Sequence, residues 1–140
     1  MMGANPDRIF VYGTLRRLQG NPMHDLLGPV IFCGRATCRG KLFCAGSYPA
    51  LVKSDRETDR VVGELYKLLD PTKVIPVLDE YEAFNPANLS ESLFVRELDF
   101  VELENGDLIE AWLYYFNRPV NPFDRIPDGD FATCSGRSDS

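Results

Sequence analysis

Histidine is nearly missing from this chain: His24 is the only one in 140 residues. That scarcity excludes a multi-histidine metal centre and leaves any Ser-His-Asp or Cys-His arrangement dependent on one side chain. No acid is placed in the sequence to orient His24, and the GSYPA segment is not a G-x-S-x-G elbow. We read His24 as a polar residue of a short helix. The four cysteines, Cys33, Cys38, Cys44 and Cys134, contain no CxxC pair. A zinc site or thioredoxin-like redox motif is therefore unsupported, and reduced thiols in a cytoplasmic chain are expected. No apolar run approaches the roughly 18 residues that span a bilayer, so no membrane partner is expected. The first residues, MMGANPDR, carry no apolar signal segment. Nor is there a basic excess: Lys and Arg number 15 against 21 Asp and Glu, a net charge of −6. Nucleic-acid binding relies on cations to neutralise phosphates and is not expected here.

What is present suits one globular domain, residues 1–131, followed by a flexible tail, 132–140: hydrophobic residues make up 44% of the chain. RIFVY, from Arg8 to Tyr12, reads as a short buried strand that stops at Gly13. Asn21-Pro22 starts a turn or short helix ending near Gly28. From Pro29 to Phe43 the pattern gives one or two strands with a bend or bulge at a glycine. Val61 to Leu68 is a further strand, with Gly63 inside it. Asp70-Pro71 predicts a helix start, with Asp as cap and Pro in the first turn, and the helix runs to about Glu82. Leu93 to Leu103 and Leu108 to Phe116 are strand-like runs, and Asn105-Gly106 between them is the signal for a type I′ hairpin. The fold class is α+β: an α+β domain or a small barrel with a helix packed on it.

The helix carries three carboxylates within four residues, Asp79, Glu80 and Glu82. On a wheel of about 100° per residue with Leu78 at zero, Val74 falls near −40°, Ile75 near +60° and Tyr81 near −60°. Glu80 then points away, Asp79 lies on the flank near 100°, and Glu82 falls near +40°, inside the apolar stripe. Burial and the negative end of the helix dipole both raise the pKa of such an acid, which is what acid–base chemistry at neutral pH needs. The plain alternative is a glutamate paired with an arginine or exposed at a frayed end. A second signal is Tyr12-Gly13-Thr14-Leu15. A strand running into Gly-Thr exposes consecutive backbone N–H groups, which suit a carboxylate or an oxyanion. An ordinary strand-to-loop turn is the alternative there.

FVYGTLR, GSYPAL, VVGELYKL, LDEYEAF, LFVR and AWLYYF occur in this order between Arg8 and Phe116. In this the chain resembles the gamma-glutamylcyclotransferase-like family, which includes the AIG2-like proteins. The resemblance implies a small mixed β-barrel flanked by helices. It also implies cyclisation of a small-molecule gamma-glutamyl amide by its own α-amine, releasing 5-oxoproline and an amine without metal or cofactor. Glu82 then matches the catalytic glutamate. Tyr12, Gly13, Thr14 and Leu15 match the substrate loop, Tyr48 of the Tyr48-Pro49-Ala50 loop lines the same pocket, and Tyr114 matches a pocket tyrosine. Arg96 is expected in a structural ion pair with Glu64, and Tyr66 and Trp112 are expected as core aromatics. Two departures stand out: Ala83 replaces a frequent glycine, and Phe94 replaces a tyrosine. A non-catalytic module binding a gamma-glutamyl or other small acidic ligand is the alternative function. The leaving amine and the oligomeric state have no readable code.

Overall fold

The computed structural model describes residues 7–12, 27–45 and 48–130, with Tyr48 given by its backbone alone. His24, the turn Gly13 to Leu15 and the tail 132–140 lie outside these residues. The strands are β1 (Arg8–Val11), β2 (Val30–Arg39), β3 (Lys41–Ala45), β4 (Tyr48–Val52), β5 (Arg60–Leu68), β6 (Phe94–Leu103), β7 (Leu108–Phe116) and β8 (Arg125–Ile126), with helix α1 (Pro71–Tyr81) between β5 and β6.

Strand alternation sorts the apolar residues into two cores. Successive side chains point to opposite faces, so Phe10 and Tyr12 join one cluster while Ile9 and Val11 join another. β5 divides the same way: Val61 and Leu65 go with Phe10, and Tyr66 and Leu68 go with Ile9. The first cluster fills a closed barrel of strand order β1-β5-β2-β6-β7. The second lies on the barrel's outer face, where Val74 and Leu78 of α1 pack against Ile9, Val11, Tyr66 and Tyr114. Burying side chains of this kind contributes roughly 1.5–3 kcal/mol each. The barrel is mixed, because β1 runs parallel to β7 at Ile9 and Trp112 while its other pairings are antiparallel. A second sheet, β4-β3-β8, adds Leu42, Leu51 and Ile126 to the barrel cluster.

Two glycines serve the barrel directly. At Gly63 a Cβ would sit 2.3 Å from the Val11 carbonyl oxygen and 2.6 Å from the Phe10 ring, so only glycine lets β1 and β5 approach this closely. At Gly34, with φ 134°, the β2–β5 register shifts, which is the bulge read from the sequence.

Four expectations are corrected. The β6–β7 hairpin forms, but its turn is not type I′. Asn105 is not at positive φ, whereas Gly106 is, at 94°. Gly106 N–H donates to the Leu103 carbonyl and Leu103 N–H to the Asp107 carbonyl, a three-residue loop whose glycine makes the bulge. Asp70 is the N-cap of α1 and Pro71 opens the helix, as expected, but Asp70 makes no side-chain cap bond; its carbonyl accepts from Lys73 and Val74 instead. Tyr81, placed on the apolar face by the wheel, is 39% exposed. The inward arc of α1 is rotated toward Ile75 and Asp79, which turns Tyr81 out. Finally, Cys33 and Cys38 are free thiols, but Cys44 is in a disulfide. Sequence spacing does not disclose a bond between distant cysteines. Among the described residues no helix is long and apolar enough to cross a membrane.

Candidate active site at the end of the helix

Helix α1 ends in a Schellman motif. Phe84 N–H donates to the Asp79 carbonyl at 2.8 Å and Ala83 N–H to the Glu80 carbonyl at 3.1 Å. Such an ending needs a left-handed residue just past the cap, and Ala83 takes that role with φ 56°. Glu82 is therefore the last residue before the chain reverses, its N–H still bonded to the Leu78 carbonyl. The reversed chain is fixed in turn. Leu93 N–H donates to the Ala83 carbonyl, and the buried Ser92 hydroxyl accepts from Asn85 N–H at 2.8 Å.

This geometry leaves Glu82 half-buried against the barrel. Among the described residues no hydrogen bond or ion pair meets its carboxyl. Desolvation lifts its pKa from 4.5 to about 7. The wheel's inward placement of Glu82 thus agrees with the structure, and among the described residues no arginine pairs with it. Two tyrosine hydroxyls feel its charge. Tyr12, at the end of β1, is pushed well above the usual phenol range, first by burial and then by Glu82. Tyr114 on β7 is also raised, chiefly by burial and by its bond to Asp79, with Glu82 adding to it. The Tyr12 hydroxyl donates to the Tyr114 carbonyl and receives a backbone hydrogen bond from Leu51. Those two bonds tie the end of β1 to β7 and β4. Of the residues singled out in the sequence, Glu82, Tyr12 and Tyr114 are brought together. Gly13, Thr14 and Leu15 lie outside the described residues, as does the side chain of Tyr48.

Arg96 does not pair with Glu64. On the β6–β7 ladder it stands directly opposite Tyr114, and both reach up to Asp79 on the helix above. Arg96 Nε lies 2.8 Å from Asp79 Oδ1 and Nη2 3.1 Å from Oδ2, a bidentate pair. The Tyr114 hydroxyl donates to Oδ1 at 2.7 Å. Trp112 lies under the guanidinium at 4.2 Å and Phe84 flanks it at 5.6 Å. Glu64, fully buried on β5, accepts from the Tyr66 hydroxyl at 2.6 Å. Sequence reasoning set Asp79 aside as a flank residue, yet its side chain is only 14% exposed. The signal available was its i, i+3 spacing to Glu82, which puts the two on neighbouring positions of one face. Among the described residues no cluster of His, Cys, Asp and Glu is arranged to hold a metal ion.

The family described as Gamma-glutamyl cyclotransferase, AIG2-like, matches residues 9–133. The chain belongs to this family. Its relatives include the gamma-glutamylcyclotransferase family protein YtfP of Escherichia coli K12, 30% identical over 124 residues that cover 89% of this chain and 95% of YtfP. A putative gamma-glutamylcyclotransferase of Drosophila melanogaster is 28% identical, covering 94% of this chain and 92% of its own. Among solved structures, YkqA of Bacillus subtilis superposes with a TM-score of 0.69 at 28% identity. That match covers 94% of this chain but 43% of YkqA. An AIG2-like protein of Mus musculus gives 0.64 at 26% identity, with 86% and 83% covered. These neighbours share the mixed barrel, and the α+β cyclotransferase-like fold expected from the sequence is the fold observed.

Proposed function

We propose that this AIG2-like protein is a cofactor-independent gamma-glutamylcyclotransferase in which Glu82 is the general acid–base group. The substrate is a small gamma-glutamyl amide whose α-amine is protonated at neutral pH. Ionised Glu82 removes a proton from that ammonium. The freed amine attacks the γ-carbonyl carbon, forming a C–N bond and a tetrahedral oxyanion. Glu82 then returns its proton to the leaving nitrogen, the original amide C–N bond breaks, and the ring nitrogen gives up its second proton to the departing amine, which leaves as an ammonium ion beside 5-oxoproline. A base with a pKa of about 7 suits both transfers, being ionised in half the molecules at neutral pH yet basic enough to accept. The turn Gly13 to Leu15 is assigned to hold the γ-glutamyl part and its oxyanion through backbone N–H groups. Tyr12, Tyr48 and Tyr114 are assigned to the same pocket.

The observation that carries this reading is the desolvated carboxyl of Glu82, without a partner among the described residues and beside two tyrosines, in a family named for this reaction. The test is to incubate the protein with gamma-glutamyl amino acids and gamma-glutamyl-lysine and to measure 5-oxoproline by mass spectrometry. Product is expected from the native protein and not from Glu82→Gln. A thermal shift with these compounds but no product makes the protein a binding module. Normal turnover by a folded Glu82→Gln protein removes Glu82 from the mechanism.

A further inference from the structure

Strand β2 changes faces part-way along its length. Phe32 pairs with Tyr66 on the outer face of the barrel, their rings 5.4 Å apart, and the next pair is Gly34 with Leu65, so Cys33 is an extra residue. A bulge of this kind reverses the alternation of every residue after it. Without it, Ala36 and Cys38 would point out and Arg35 and Thr37 into the barrel. With it, Ala36 and Cys38 join the barrel core, and Arg35 and Thr37 stand outside. The neighbouring strands bring charges to the same place. Val61 and Val101 point inward, which turns Arg60 and Val62 of β5 and Glu102 of β6 outward. With Glu104, just past the end of β6, these side chains line a cleft of about 450 Å³.

The charges around the cleft are sorted, with Arg35 and Arg60 on the β2–β5 side and Glu102 and Glu104 on the β6 side. β2 pairs with β6 only at Ala36–Leu103 and Thr37–Glu102. The ladder stops one step before Arg35 would meet Glu104. Arg60 closes on Glu102 at 3.6 Å, but among the described residues neither the Arg35 nor the Glu104 side chain has a hydrogen-bond or ion-pair partner. An open cation and an open anion thus stand on opposite walls, with the Thr37 and Val62 side chains between them. The glutamates repel a simple anion and the arginines a simple cation, so a molecule carrying both charges is what this field favours. The cleft is separate from the site of Glu82. Along β6, Glu102 stands six residues from Arg96, roughly 20 Å.

We propose that the cleft between β2, β5 and β6 is a further ligand site, for a small zwitterion with an α-ammonium and an α-carboxylate: a free amino acid or a short peptide. The carboxylate lies on Arg35 with Arg60 beside it, and the ammonium lies on Glu104. Pockets of roughly 300–1,000 Å³ hold small molecules, and this volume falls among them. The charges of an extended dipeptide lie about 7 Å apart. That span exceeds the spacing of about 4.8 Å between paired strands, as a cleft beyond the end of a ladder requires.

The experiment is an amide NMR titration of the 15N-labelled protein with glycylglycine, and with glycine, N-acetylglycylglycine and glycylglycinamide beside it. Glycylglycine is expected to give saturable shifts at Arg35, Thr37 and Glu104. The acetylated and amidated compounds each lack one charge and should bind more weakly by about threefold or more. Arg35→Ala and Glu104→Ala should each weaken glycylglycine by a similar factor. Both side chains are exposed, so both variants are expected to fold, with unshifted core amides as the check. Glycine binding as tightly as glycylglycine assigns the site to single amino acids, and weaker binding assigns it to peptides. The proposal is overturned by the absence of saturable shifts at these amides, by shifts confined to the surroundings of Glu82, or by equal binding of the blocked compounds. The readout needs no turnover, so it stands or falls apart from the role of Glu82.

Discussion

Asp79 and Glu82 sit one turn apart on the same face of the same helix and meet opposite surroundings. Asp79 receives a bidentate arginine and a phenol, while Glu82 receives nothing from the described residues. Side-chain type does not separate them, and burial alone does not either, because both are partly covered. What separates them is where donors are anchored. The β6–β7 ladder places Arg96 and Tyr114 side by side beneath Asp79, and the Schellman reversal carries Glu82 past them toward the end of β1. One acid is thereby made structural, and the other is left able to move a proton.

The largest expected effect comes from removing the bare acid. Glu82→Gln should lower 5-oxoproline release on the order of a thousandfold while leaving the circular dichroism spectrum unchanged, in line with the loss of a general base. Asp79→Asn should retain measurable turnover with its acid limb shifted to lower pH. If the two variants are equally dead with the same residual pH profile, the division between them fails.

Breaking the partnered acid from the other side should show in stability instead. Arg96→Leu leaves Asp79 without its cation in a site where the two side chains are 17% and 14% exposed. A loss of about 3 kcal/mol in urea unfolding is expected, near the lower end for a buried pair. The control is Lys53–Glu97, whose side chains are 60% and 41% exposed. Glu97→Ala should change stability by less than about 1 kcal/mol. Similar losses for the two would mean that solvent screens the Asp79 pair as well.

The bare acid should also mark the pH dependence of folding. Its folded pKa of about 7 lies above the ordinary 4.5, so protonation favours the folded state. The stability it contributes is complete below about pH 4.5 and is lost as pH rises through 7. After allowance for partial exposure this amounts to roughly 2 kcal/mol. Glu82→Gln should remove that slope and be the more stable protein at pH 8. An unchanged slope between pH 5 and 8 would place the titration elsewhere.

The sequence showed much of this, and its failures have physical causes. The apolar runs RIFVY, ending at Gly13, and VVGELYKL marked strands correctly, and the 3.6-residue period of α1 aimed Glu82 inward. The wheel lacked a fixed zero, however. Taking Leu78 as centre put Tyr81 in and Asp79 on the flank, whereas the packed arc turns toward Asp79 because Arg96 and Tyr114 pull it there. That pull comes from strand register, which no single stretch encodes. The Arg96 partner was missed for the same reason: Glu64 and Asp79 are both acids within the motifs, and only the ladder shows which one the guanidinium faces. The Asn-Gly turn was found, but its type depends on whether the strands pair across two loop residues or three.

Ala83 gives the smallest and most local test of the Glu82 surroundings. The resemblance marked it as a departure from glycine, and its φ of 56° shows that the position does need the left-handed region. A Cβ in that region costs on the order of 1 kcal/mol, partly offset because alanine restricts the unfolded chain more than glycine does. Ala83→Gly should therefore stabilise the protein by about 0.5 kcal/mol and raise Tm by one or two degrees. The bonds that shape the helix end are all backbone: Ala83 N–H to Glu80, Phe84 N–H to Asp79 and Leu93 N–H to Ala83. Glycine can make each of them, so Glu82 should keep its place and its midpoint near 7. A lower midpoint in Ala83→Gly would mean that the methyl group itself shields the carboxyl from water. The desolvation of Glu82 would then owe less to the barrel than to this one side chain.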